Sequence, residues 1–507
     1  MKRRARALLG LLISALLLSG CWQAEPEEDT SLLPPEEEPQ SEGPSAMPLP
    51  QTFSLPFAPN QSLDPISCPD GAQRTAASLL CEGLFRLDGA FQAEYALCSS
   101  YTRDETCQVF VFTLREGAVF SDGSPVTAAD VRASLDRARQ SERYGARLAG
   151  IASVSAGEGS VTVRLSSPNV LLPALLDVPI VKSGTQEDLP IGSGPYALTG
   201  QRGSLSLTAN PYWPEDLPVE RIALVEAADE DAVRYRFSSY EVQLMTADLT
   251  GVSPFTPTGH VAYQDAGTTV MQYLGCNTAR PPLDSAALRR ALSLGIDRRN
   301  VAEAFLSGHG EAAQFPVSPL SSLYPEDLEI RYAADALAQA MAEIGYEPER
   351  PLTLLVNQEN TFKTAVAGSL AQTFTAAGVP VELKVLPWEE YLPALEAGDF
   401  DLYYGEVRLS ADWNLSALLS PEGALNYGGW TSETAAELMA AYASAEDPAA
   451  AMQRLCRYLQ QQAPILPLCF KSVTVLTQAE VVEGLSPTAA EPLYNFSRCK
   501  IHLREDG

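Results

Sequence analysis

Histidine is almost missing from this chain: His260, His309 and His502 are all it has in 507 residues. None stands at metal-ligand or triad spacing from another, and neither HExxH nor GxSxG occurs, which removes the common metallohydrolase and serine-hydrolase frames. CxxC is missing too, so thioredoxin-type redox chemistry and zinc ribbons have no support. Positive charge is scarce. Lys and Arg number 35 against 64 Asp and Glu, a net charge of −29. A surface this acidic repels nucleic acid and anionic lipid and favours solubility. Two enzyme-like strings fail on context. Ser497-Arg498-Cys499-Lys500 fits SxxK but falls in what reads as the final strand, away from any helix start. The Gly308-His309-Gly310-Glu311-Ala312-Ala313 stretch imitates a dinucleotide fingerprint with no strand before it. Neither an enzyme nor a cofactor is expected.

Long apolar runs are also wanting, except at the start. Lys2, Arg3, Arg4 and Arg6 precede an apolar stretch from Ala7 to Leu18, too short to span a bilayer comfortably and matching a secretory signal. Its end, Leu18-Ser19-Gly20-Cys21, resembles the lipobox of bacterial lipoproteins. That resemblance implies a signal peptide over 1–20, lipidation of Cys21 and attachment to the membrane by lipid. Residues 21–52 combine Glu25, Glu27, Glu28, Asp29 and Glu36 to Glu38 with Pro34-Pro35, and read as a disordered, solvated tether.

The remaining stretch of roughly 455 residues suggests two or three domains. Short apolar runs alternate with amphipathic helices, an α/β pattern. Val109–Leu114 reads as a buried strand, Ser121–Ser124 as a tight turn, and Thr127 with Asp130 as a capping box before a helix whose inner face is Val131, Leu135 and Ala138. Strands are expected at 161–165, 204–208, 273–277, 352–356 and 381–385. Helices are expected with Leu288, Leu292 and Ile296 on one face, and over 362–377. The strand–helix–strand order of the second half predicts a largely parallel sheet. Eight cysteines follow Cys21. Cys98 and Cys107, flanking Thr102–Glu105, form the expected disulfide, with isolated buried thiols as the alternative.

Four segments, in this order, resemble the large extracytoplasmic solute-binding proteins of peptide and nickel ABC transporters. They are Leu80-Cys81-Glu82-Gly83-Leu84; Phe112 to Val131, with Phe120-Ser121-Asp122-Gly123 and Thr127-Ala128-Ala129-Asp130-Val131; Gly192-Ser193-Gly194-Pro195-Tyr196 followed by Asn210-Pro211-Tyr212-Trp213; and Asn277 with Leu288-Arg289-Arg290-Ala291-Leu292 and Gly295-Ile296-Asp297-Arg298. The resemblance implies a two-lobed periplasmic-binding-protein-like fold of type II, α/β in class, with an extra subdomain inserted in lobe I. Lobe I is expected at 53–88, 187–270 and 475–507, the insertion at 89–186 and lobe II at 271–474, with hinges near Gly275 and Lys471. It further implies a monomer that captures short peptides and delivers them to an ABC permease and ATPase. A sensing receptor without transport, or cargo such as a nickel chelate, haem or an oligosaccharide, is the alternative.

The same resemblance supplies candidate ligand residues. Asp412, in Ser410-Ala411-Asp412-Trp413-Asn414, stands where peptide-binding relatives carry the Asp that pairs with the ligand ammonium; a turn or helix N-cap is its structural alternative. Trp388 matches an aromatic of the cleft, or else a core residue at a strand-to-helix junction. Tyr144 falls in a loop expected to reach the ligand. Arg408 is a candidate carboxylate receptor or a solvated surface residue. Trp413, Trp430 and Glu82 complete the set, with a salt bridge as the alternative for Glu82. Cys81 in place of an aromatic, Arg408-Leu409 in place of Gly-Trp and Ala436 in place of Asp depart from the family pattern, and they bear on ligand identity.

Overall fold

The computed structural model describes residues 49–185, 189–201 and 204–504. The expected signal peptide, Cys21 and most of the 21–52 tether lie outside the described residues.

Val109–Leu114 pairs antiparallel with both Cys98–Arg103 and Ser160–Leu165, and Ile151–Ala156 closes this four-stranded sheet. The strand expected to be buried has one wetter face: Phe110 and Phe112 are sequestered while Thr113 points out. Helix Ala128–Ala138 covers the inner face with Val131, Leu135 and Ala138. Its capping box is complete, since the Asp130 amide donates to Thr127 and the Thr127 amide donates back to Asp130 Oδ2 at 3.0 Å. A second four-stranded sheet joins Ser54–Phe57, parallel, to Arg221–Glu226, and then Ser206–Ala209 and Tyr196–Thr199.

The motif strings meet in space for a steric reason. Gly194 and Tyr196 donate main-chain hydrogen bonds to Leu80 and Leu79, and a Cβ on Gly192 would sit 2.0 Å from the Leu80 carbonyl oxygen. No larger residue fits. Gly123 has a φ of +81°, and the Tyr212 hydroxyl fills the space its missing side chain leaves. Asn277 holds the carbonyls of Gly398 and Phe400, and buried Arg289 donates to the carbonyls of Leu283, Gln462 and Ala463.

The seven-stranded sheet runs in the order Leu244–Ala247, Ile465–Gln478, Val261–Cys276, Leu402–Arg408, Leu352–Asn357, Val381–Leu386, with Gly310–Ala312 beside Ile465–Gln478. Only the pairings made by Leu352–Asn357 are parallel. The expectation of a largely parallel sheet gives way because Val261–Cys276 and Ile465–Gln478 run antiparallel along most of their length. Short strand expectations are thereby extended: 273–277 is the end of a 16-residue strand. The ladder between these two strands breaks between Gly267 and Met271, where the Thr268 hydroxyl donates to the Lys471 carbonyl at 2.7 Å. Lys471 itself is buried, its ammonium 2.5 Å from Asp248 and 3.9 Å from Glu406. Gly275 lies beyond the break, paired on both sides and packed against the Tyr403 ring. Helix Ala286–Leu294 stops before Gly295, so Ile296 reaches the core from outside it.

The expected Cys98–Cys107 disulfide does not form; all eight described cysteines are free. Cys98 opens its strand opposite Leu114, whereas Cys107 sits beyond the far end of that hairpin, past the Arg103–Phe110 pair. Five residues of strand separate the two ends by on the order of 15 Å, far outside disulfide reach. Burial pushes the thiols of Cys98 and Cys499 up to about 11 and those of Cys276 and Cys469 up to about 12. Thiolate is the reactive form. Iodoacetamide at pH 8 is therefore expected to label none of the eight in the native protein and all eight after denaturation without reductant. Mass spectrometry reads the count, and a disulfide among them would leave two unlabelled.

Candidate functional site

The strand Leu402–Arg408 leaves the sheet at Arg408, where the Leu409 amide still bonds Thr269 at 2.9 Å. The chain then turns sharply. The Trp413 amide donates to the Ser410 carbonyl at 2.9 Å, and Trp413 adopts a φ of +52°, a strained choice for a bulky residue. Packing holds it there. Its ring is 1% exposed, meets Phe91 and Phe470 edge-on at 5.3 and 5.9 Å, and donates from Nε1 to Ser321. The buried Trp413 side chain thus anchors the turn that carries Asp412 in a cavity wall.

That cavity encloses about 780 Å³. It is lined by Arg74 of helix Ala72–Ala77, the 142–151 segment, Asn169, the 487–490 segment and residues 407–412; Asp265, Thr268 and Thr269 form part of the lining where the crossing strands break. Asp412 is 4% exposed. Its Oδ2 accepts from Asn169 Nδ2 at 2.8 Å, and its Oδ1 accepts from the Ser410 hydroxyl and from the Asn414 amide at 3.3 Å. The bond to Asn414 is an Asx-type turn, so the structural role expected of this residue is real. Yet among the described residues no Lys, Arg or His makes an ion pair with it. A buried carboxylate with hydrogen bonds but no counter-charge carries an electrostatic cost that a bound cation removes.

Three other acids in the wall are answered. Asp70 pairs with Arg143 at 2.6 Å, Asp177 with Arg147, and Asp265 with His309 at 2.9 Å. Burial works most strongly on the Asp70 carboxylate and would raise its pKa, but the Arg143 hydrogen bond together with the charges of Arg143, Arg408 and Arg74 holds the group below its usual range. Tyr144 lies at the centre of this wall, its hydroxyl accepting from Arg74 at 2.9 Å and its ring beneath the Arg147 guanidinium.

Of the residues proposed from sequence, Asp412, Tyr144 and Arg408 share this cavity. The others do not line it. Trp388 starts helix Trp388–Glu396, stacks on Tyr391 and is 55% exposed. Trp413 and Trp430 are core residues, the latter clasped by Asn426, which bonds both its amide and its carbonyl. Glu82 forms a two-pronged salt bridge with Arg115 at 3.0 and 3.1 Å. Arg74, Arg147 and Asn169 were missed. Asn169 lies 243 residues from Asp412 in the chain, and its Ser167-Pro168-Asn169 setting signals only a turn.

Two α/β lobes joined by crossing strands, with a charged cavity between them, define a type II solute-binding protein. The chain belongs to the bacterial extracellular solute-binding proteins, family 5: the profile for the middle part of that family matches residues 92–424, more than half of the chain. It is 25% identical over 417 residues to Protein XP55 of Streptomyces lividans, covering 75% of this chain and 76% of that protein. Over 446 residues it is 22% identical to the glutathione-binding protein GsiB of Escherichia coli strain K12, covering 80% and 86%. Among solved structures, the unliganded open form of the periplasmic murein tripeptide binding protein MppA matches with a TM-score of 0.75 at 21% identity, over 90% of this chain and 99% of that one. Members of the family work outside the cytoplasm as carriers for ABC importers, and this chain is a carrier, not an enzyme. Among the described residues no helix is long and apolar enough to cross a membrane.

Proposed function

We propose that this protein captures short peptides in the cavity beside Asp412 and hands them to an ABC permease–ATPase complex. The observation that carries the reading is the buried Asp412 carboxylate, solvated by protein donors and lacking a cation. An α-ammonium supplies one, and in a closed cavity such a charged hydrogen bond is stronger than at a surface. About 780 Å³ suits a small ligand. Two relatives lean the same way: GsiB is named for glutathione, a tripeptide, and MppA for a murein tripeptide. In this reading lobe I comprises 53–88, 187–270 and 475–507, the insertion 89–186 and lobe II 271–474. Bending falls at the broken ladder, at Thr268–Val270 and Lys471. Lipid on Cys21 and the acidic 21–52 stretch hold a monomer near its transporter.

Native mass spectrometry of the protein as purified is the direct test. Ligand masses are expected to resolve into peptides of a few residues. A metal chelate, haem or saccharide in that spectrum would overturn the assignment.

A further inference from the structure

Asp412 is not the only group in the cavity wall that makes no direct ion pair; Arg74 makes none with any described Asp or Glu either, although the charges of Asp177, Asp70 and Glu491 act on it from nearby. Arg74 lies on helix Ala72–Ala77 and is partly buried. Its Nη1 donates to the Pro65 carbonyl at 3.2 Å and to the Tyr144 hydroxyl at 2.9 Å, and its Nη2 donates to the Ala490 carbonyl at 3.4 Å. A guanidinium has five N–H donors. The Nε–H and one Nη2–H are left without a described acceptor, and these two lie side by side on the edge that grips a carboxylate with two parallel bonds. Tyr144, 2% exposed, accepts from Arg74 and retains its own O–H to donate. Arg147, whose guanidinium covers the Tyr144 ring at 4.7 Å, keeps a buried Nε–H with no acceptor. Unused donors therefore gather around Arg74, in a cluster with Tyr144 and Ala490 that is separate from the Asn169, Ser410 and Asn414 donors around the unanswered Asp412 carboxylate. The remaining charges in the lining without an ion pair are Asp88, whose Oδ1 accepts from the Ala90 and Gln92 amides, and Arg408 and Glu142, which are exposed, where water screens them.

We propose that Arg74, with the Tyr144 hydroxyl beside it, is the receptor for the ligand's carboxylate, so that the cavity selects zwitterionic peptides with both termini free. The proposal rests on the peptide reading above and adds to it a second anchor. A ligand held at both ends ties the helix bearing Arg74 to the turn bearing Asp412. One blocked at its C-terminus engages only the latter.

The test uses a randomised tripeptide mixture in three forms: free acid, C-terminal amide and N-acetylated acid. Calorimetry on the intact protein is expected to show the amide binding about 10- to 150-fold more weakly than the free acid, the range for a charged hydrogen bond left unmade. Arg74→Gln is expected to bring the acid down to the level of the amide while leaving amide binding unchanged; Tyr144→Phe is expected to move it part of the way. Equal affinity of acid and amide in the native protein overturns this proposal and leaves the peptide reading standing. Failure of all three forms to bind overturns both. If Arg408→Gln removes the acid–amide difference and Arg74→Gln does not, the receptor is Arg408. The native comparison needs no variant, so it decides even if Arg74→Gln, stripped of its bonds to Pro65 and Ala490, fails to fold.

Discussion

Asp412→Ala is expected to abolish peptide binding in calorimetry, a loss of about 3 kcal/mol or more, over 100-fold, because it removes one member of a buried charge pair. The carboxylate meets only donors from the protein: Asn169 Nδ2, the Ser410 hydroxyl and the Asn414 amide. Those bonds orient it, and none of them brings a positive charge, which is left for the ligand to supply. Asp412→Asn sharpens the test. The amide keeps the shape and can still accept at Oδ1, so the turn survives, while the negative charge is gone. Thermal stability close to wild type with binding lost supports the ammonium role. A variant that loses stability and still binds peptide at full affinity would reduce Asp412 to a turn residue.

The second large effect concerns Trp413, next to it. Trp413→Ala is expected to cost about 3–5 kcal/mol in urea denaturation, the usual range for emptying an aromatic site in a core. The ring is shared by two parts of the chain, touching Phe91 from the segment before the inserted sheet and Phe470 from a crossing strand, and its loss also removes the Nε1–H bond to Ser321. Trp388→Ala serves as the contrast. Its ring is more than half exposed and away from the cavity, so a change within about 0.5 kcal/mol is expected. Equal losses at the two positions would mean that one of these rings is misassigned between core and surface.

The contrast between these tryptophans also shows what a sequence can and cannot disclose. Local rules were readable. The capping box at Thr127 and Asp130, the strands at 109–114 and 160–165, and the helix at Thr361–Ala376 follow from periodicity and caps, which act within a few residues. Family motifs located the glycines whose packing against Leu80 leaves no room for a side chain. Side-chain direction was not readable. Trp413 follows Asp412 directly, yet one residue turns into the core and the other into the cavity, and a φ of +52° at position 413 decides which. Arg74 and Asn169 reach the cavity from separate segments, and nothing local in either signals a ligand; Tyr144 was reached only through the family resemblance. The Cys98–Cys107 expectation failed for a related reason: closeness in sequence was read as closeness in space, and a straight strand intervened.

The eight reduced thiols bear on how such a molecule matures. A protein that leaves the cytoplasm commonly depends on an oxidising foldase to lock its chain, and it can be trapped by mispaired bridges on the way. Here seven sulfurs are buried and the eighth, Cys81, is wedged against Gly192. The described fold therefore contains no bridge that an oxidising compartment would have to make or a reducing one could break.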